Sequence, residues 1–205
     1  GDLYTNDALS HGLIESLLID IVNTGLTPQS QPMLRWLGFG QEWQREYQER
    51  NYDLFELWGL DPRNWCDAQR RMNIYMLQAH ALFYWQLDGM GVYQVIQKPT
   101  KFCPLSLSLL PIDPDRLETP VDLKTRDDVY DGIVLDTDGA PTAAWIRQKG
   151  YRGSARTSDC VKVEVKDEET GLPKLLLVCD VRNVAEYRQD SILGPNMKEI
   201  RDSND

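Results

Sequence analysis

Leu9, Leu13, Leu17 and Ile21 recur every four residues, and Leu18 and Val22 widen that stripe. This is the period of one face of an amphipathic helix. Asn6 or Asp7 offers an N-cap and Gly25 a stop. Pro28 and Pro32 break the chain before a second helical stretch from Gln41 to Trp58, whose Trp43, Tyr47, Leu54, Phe55 and Trp58 share a broad face. Asp61-Pro62 makes a turn. Asn73 then caps a third helix with Ile74, Leu77, Ala81, Tyr84 and Trp85 inward, ending near Gly89 and Gly91. From Gly91 to Ile96 the residues have high strand propensity.

Beyond that point the period falls to two. Leu105, Leu107 and Leu109 alternate with Ser106 and Ser108, the pattern of a strand with one buried face. Asp113-Pro114-Asp115 ends it. Residues 132–136 and 143–148 flank Thr137-Asp138-Gly139-Ala140-Pro141, and Asp-Gly between apolar runs predicts a hairpin. Val161 to Val165 alternates, Asp167 to Pro173 turns, and Leu175 to Val178 follows, which predicts a second hairpin. Ser191 onward, with Ile192, Met197 and Ile200, reads as a loop entering a further helix that is cut off. The expected architecture is α+β: amphipathic helices over 1–90 packed on mostly antiparallel strands over 91–190, with 191–205 opening another helix. All 205 residues are expected to form one compact domain.

Composition limits what such a fold does. Hydrophobic residues at 41% and charged residues at 26% are average for a folded protein. No apolar run approaches the roughly 18 to 20 residues of a membrane span, and no signal peptide is visible. The chain opens Gly1-Asp2 without Met, which suggests a trimmed start. Cys66, Cys103, Cys160 and Cys179 form no CxxC, so reduced thiols are expected and a zinc site is not. The net charge of −10 is spread evenly, with 7 basic and 12 acidic side chains in residues 1–100 and 15 and 20 in the rest. Gripping a phosphate backbone needs clustered Lys and Arg. No such cluster stands out in the sequence, so a nucleic acid partner is expected to pass without being held.

Candidate chemistry is sparse. No P-loop, G-x-S-x-G, H-E-x-x-H or G-x-G-x-x-G occurs, so neither a catalytic residue nor a cofactor or metal site is expected. His11 and His80 each read as a surface or satisfied core position; brought together they would suit acid–base work. Asp113 with Asp115, and Asp136 with Asp138, are doublets that bind a divalent cation if a loop bends both inward. Pro114 and Gly139 favour turn chemistry instead, because Asp bonds its own backbone in tight turns. The rival reading is a metal-dependent transferase using either doublet. The Trp-rich second helix suits a core or subunit interface better than a base-stacking platform. Arg182, Arg188 and Arg201 are interleaved with Asp180, Glu186, Asp190, Glu199 and Asp202, which predicts salt bridges rather than a basic edge.

The stretch Asn6-Asp7-Ala8 through Leu26 resembles the opening of lambda-type phage portal proteins. Phe55-Glu56-Leu57-Trp58 and Cys66-Asp67-Ala68-Gln69-Arg70-Arg71-Met72 resemble that family's next signature, which runs on to Leu87-Asp88-Gly89, with Met90 where Glu is usual. Residues 107–117, LSLLPIDPDRL, are similar to its strand-and-turn "lqLidPdRl", and residues 132–141 to its "GvelD..Grp" hairpin. Residues 182–202 resemble its "R..QyRG.s.l.p.l..ird" junction through Tyr187, Arg188, Ser191, Pro195, Ile200 and Arg201. Gln189-Asp190 stands in place of Arg-Gly, and Leu177-Val178-Cys179-Asp180 lacks the histidine common before the junction.

The resemblance implies a non-enzymatic, wing-like part of a portal subunit, whose stem, clip and crown follow the junction. Such subunits form a homo-oligomeric ring, usually of about twelve copies, at one capsid vertex. DNA enters and leaves through the ring, and it connects head to tail. The implied partners are terminase, capsid and head-completion proteins, and no membrane. The implied location is the virion, after assembly in the host bacterial cytoplasm. An acidic composition fits a channel past which DNA slides, since negative walls disfavour sticking.

Overall fold

The computed structural model describes residues 8–23, 25–32, 38–97, 99, 101–103, 105–148, 154–180, 186–188, 190, 191 and 194. The expected N-cap at Asn6 or Asp7, the side chain of Leu9, Trp36, the arginines at 182 and 201, and all but two residues of the expected C-terminal helix lie outside them. The elements are α1 (Ala8–Val22), α2 (Gln41–Gly59), α3 (Ile74–Asp88), β1 (Gly91–Gln97), β2 (Leu107–Ile112), β3 (Val129–Tyr130), β4 (Ile133–Leu135), β5 (Pro141–Arg147), β6 (Cys160–Glu164) and β7 (Leu175–Val178). Helices lead and strands follow, in an α+β fold.

Local chemistry explains the helix ends. The Asn73 side chain accepts the Met76 N–H at 2.9 Å, meeting one of the donors a helix N-terminus leaves open. Gly89, at φ 75, closes α3 in the left-handed conformation that costs glycine little. α1 runs out at Asn23 and at Gly25, whose N–H donates to Val22 O at 2.6 Å.

The buried face of α1 is not the predicted one. Ser10 and Ile14 are buried, and Ile14 and Leu18 pack on Phe83 and Leu87 of α3. Leu13 and Ile21 are 46% and 54% exposed. From Leu13 to Val22 the helix is apolar on nearly every side, so periodicity cannot choose a face. Among the described residues, contact with α3 does, through a strip that includes Ile14 and Leu18.

The strands form two sheets, ordered β2-β1-β7 and β3-β4-β5-β6, with every pairing antiparallel. The three-stranded sheet is central. One face presents Tyr93, Leu107, Leu109 and Leu176 to Trp58, Trp65, Cys66, Ile74 and Leu77 of the helical layer. The other presents Val92, Leu110, Ile112, Leu175 and Leu177 to Ile133, Ala144 and Ile146 of the second sheet. A strand side chain alternates faces, so the apolar runs Leu109-Leu110 and Leu175-Leu176-Leu177 serve two cores at once.

Two expectations change here. Ser108 is buried, not solvent-facing, and its Oγ donates to Trp65 O at 2.8 Å. The second predicted hairpin is not one: β6 pairs with β5, and β7 pairs with β1 in the other sheet. Lys166 and Pro173 form only an isolated bridge at the base of the turn. β6 has exposed Val161, Lys162 and Glu164 and suits a sheet edge, whereas the unbroken apolar β7 belongs in a layer covered on both sides.

The outer edge of β2 is covered by the loop before α3. Leu109 N–H donates to Cys66 O at 2.7 Å and Ala68 N–H to Leu109 O at 2.9 Å, so a two-residue graft satisfies groups that an open edge exposes. Gly132, at φ 83, lies against the 118 backbone, where an added Cβ would meet Glu118 N at 2.7 Å. That contact seats the second sheet under the turn following β2.

Candidate interaction surfaces

Both acidic doublets are closed turns. Asp113 accepts the Asp115 N–H at 3.0 Å as it caps a short 3-10 turn. Asp136 accepts from the N–H groups of Asp138 at 2.9 Å and Ala140 at 2.8 Å. The first carboxylate of each pair is thus engaged by its own backbone. Two surface grooves of about 410 Å³ each lie elsewhere. One is between residues 28–31 and 48–53, the other around Gln94, Val163, Asp167 and Lys174.

The segment 187–191 joins both turns to α3. Tyr187 hydroxyl donates to Gly139 O at 2.7 Å, and its ring meets Tyr130 edge-on. The Arg188 guanidinium reaches Asp88 O and Pro114 O, each at 3.4 Å, and the Asp115 carboxylate at 3.5 Å. Ser191 Oγ donates to Gln86 O at 3.0 Å. Three side chains therefore tie the end of α3, the 113–117 turn and the β4–β5 hairpin together. Burial pushes the Asp88 carboxyl above the usual range, and the nearby Asp115 carboxylate adds to that shift. The sequence placed Tyr187, Arg188 and Ser191 in a family junction, but these contacts span 48 to 105 residues and follow no local period.

The loop 61–73 holds the other dense group. Asp67 is fully buried and its carboxylate accepts N–H groups from Gln69 at 2.8 Å, Arg71 at 2.8 Å and Met72 at 3.0 Å. Arg70, at φ 60, takes a left-handed conformation that disfavours any side chain. Its N–H to Asp67 O at 3.0 Å helps hold it there. The guanidiniums of Arg63 and Arg70 each lie 4.7 Å from the centre of the Trp65 ring, a cation–π arrangement. Asp61 grips Arg63 through two contacts of 2.8 and 2.6 Å, which holds its carboxyl far below the usual range. Burial pushes the Cys66 thiol up to about 11, so it stays protonated at neutral pH. Cys66 and Cys160 are buried, Cys103 and Cys179 half-buried, and all four are free.

The two histidines have separate settings. His80 shares a 2.8 Å hydrogen bond between Nδ1 and the Tyr93 hydroxyl, and its ring meets that of Tyr84 at a tilt, with centres 4.6 Å apart. Burial lowers its pKa. His11 is on an exposed position of α1. The aromatic face of α2 divides. Phe55 and Trp58 enter the core, with Trp58 Nε1 donating to Leu107 O at 2.7 Å. Phe39, Trp43 and Tyr47 instead stack into an exposed ridge, with ring centres 4.5 and 5.3 Å apart.

The family model described as phage portal protein, lambda family, matches residues 1–205. The chain belongs to that family. No curated protein matches it. As a lambda-family portal protein it is a structural component of the phage particle, and the family's role involves oligomeric assembly with capsid and packaging partners. No helix among the described residues is long and apolar enough to cross a membrane.

Proposed function

We propose that residues 1–205 form a single wing-like domain of a portal subunit, and that a closed ring of about twelve such subunits sits at one capsid vertex. The whole-chain family match carries this reading. The geometry supports it, because the junction segment is fastened to three separate elements, which suits a segment that carries force between parts of a subunit. DNA passes through the ring during packaging and ejection without sequence-specific binding, and the net charge of −10 keeps it from adhering. Terminase, capsid and head-completion proteins are the partners. Assembly takes place in the host cytoplasm, and the ring then remains in the virion.

The subunit works as a structural part and not as an enzyme. A transferase centred on either doublet draws no support from pairs whose first carboxylate is already engaged by its own turn. Immunogold labelling of purified virions with an antibody to this chain tests the reading. Label confined to one vertex, at the base of the tail, is expected. Label spread over the whole capsid, or absent from virions, would overturn it.

A further inference from the structure

The charge of this chain is even between its two halves but not from segment to segment or in space. On the helical side of the central sheet, the loop 61–73 carries three exposed arginines, Arg63, Arg70 and Arg71. The acids within it are turned inward or neutralised: Asp67 is fully buried on backbone N–H groups and Asp61 is bound by Arg63. Arg70 and Arg71 are left as outward cations. The Trp65 ring and an Nη1 hydrogen bond to Asn64 O at 3.2 Å fix the Arg70 guanidinium on an exposed loop, where its remaining N–H groups can meet a carboxylate. The opposite side of the central sheet has the reverse character. There residues 127–138, which span β3 and β4, hold 5 Asp and no Lys or Arg. Asp127 and Asp138 are exposed there, at the same end of the β3–β4 pair, because Leu135 N–H bonds Asp128 O across it.

We infer that the Arg70–Arg71 face of one subunit docks on the Asp127–Asp138 face of the next copy of this chain, as the head-to-tail contact that closes the ring. The inference rests on the proposed ring. A cyclic assembly with more than two members joins two unlike surfaces of each subunit, and here a cationic and an acidic surface lie on opposite sides of one sheet. Opposite charges across such a contact set register and speed encounter. A DNA backbone is the less suited occupant, because two outward arginines in an acidic chain give it little counterion release.

Charge reversal tests the contact. Wild-type protein, the R70E/R71E variant, the D127K/D138K variant and an equal mixture of the two variants are compared by native mass spectrometry, with circular dichroism as the check on folding. Wild type should form rings, each variant alone should lose them, and the mixture should regain them as alternating rings, since every junction again joins opposite charges. An unfolded chain could not be rescued in this way. If R70E/R71E does not fold, R71E with D127K serves as the pair. Rings formed by wild type and by both single-sided variants alike would overturn the contact while leaving the ring reading intact. Wild type that stays monomeric would overturn both. Variants that keep their rings but lose retention of duplex DNA on a mobility gel would assign the arginines to DNA and overturn the contact.

Discussion

The Tyr187 hydroxyl donates to the carbonyl of Gly139, 48 residues earlier in the chain, at 2.7 Å. It closes the β4–β5 hairpin against the 187–191 segment. Gly139 has φ 84, and a Cβ there would lie 2.8 Å from the same hydroxyl. Tyr187→Phe should cost about 1 kcal/mol, the net worth of one part-buried hydrogen bond. Gly139→Ala should cost more, because strain at positive φ adds to the displaced hydroxyl. Urea denaturation midpoints check both; wild-type midpoints for both would show that the junction is not fastened here.

Asp67 organises the loop before α3 by accepting three backbone N–H groups from full burial. Asp67→Ala leaves those donors without a partner and should destabilise the protein by about 2 to 4 kcal/mol. Asp67→Asn keeps one acceptor oxygen and should cost less. Equal losses for the two variants would mean that the carboxylate is not what holds the loop.

Trp58 and Trp43 lie on one helix in opposite settings, 6% and 41% exposed. Trp58→Ala should lower stability by about 3 to 5 kcal/mol, as other large-to-small core changes do. Trp43→Ala should leave the isolated chain within about 0.5 kcal/mol of wild type. Any effect of Trp43 is expected in assembly, since exposed Trp and Tyr strips are where binding energy concentrates. Thermal melts together with ring yield separate the two roles.

His80 gives a pH signature. Burial lowers its pKa in the folded state, so between that value and about 6.5 the unfolded chain binds more protons. Stability from His80 is full above that window and is lost as pH falls through it, at no more than about 1.4 kcal/mol per unit. His80→Gln removes this term. The difference in urea midpoint between wild type and the variant should therefore change between pH 7.5 and pH 5.5, in the direction of greater acid loss for wild type. A constant difference would show that His80 titrates normally in the folded protein.

Local signals carried much of this fold. The Asn73 cap, the Gly89 stop and the Asp138-Gly139 hairpin each depend on a few adjacent residues, and each lies where the sequence placed it. Both acidic doublets are the turns that Pro114 and Gly139 suggested. What escaped the sequence depends on distant partners. Nothing local tells α1 to bury Ile14 and expose Leu13, or Ser108 to point at the Trp65 carbonyl. Nor does a turn between two strands say that they enter different sheets, as β6 and β7 do. Which acids near the arginines are engaged was hidden for the same reason, because the burial of Asp67 and the grip of Asp61 on Arg63 appear only on folding.

Ring formation is what most sharply separates a portal subunit from a monomeric domain. Native mass spectrometry of the natural full-length product measures it directly. A closed assembly at one integral multiple of the subunit mass, near twelve, is the expected result. A monomer across the whole accessible concentration range, or an open series of masses without a closed species, would contradict it.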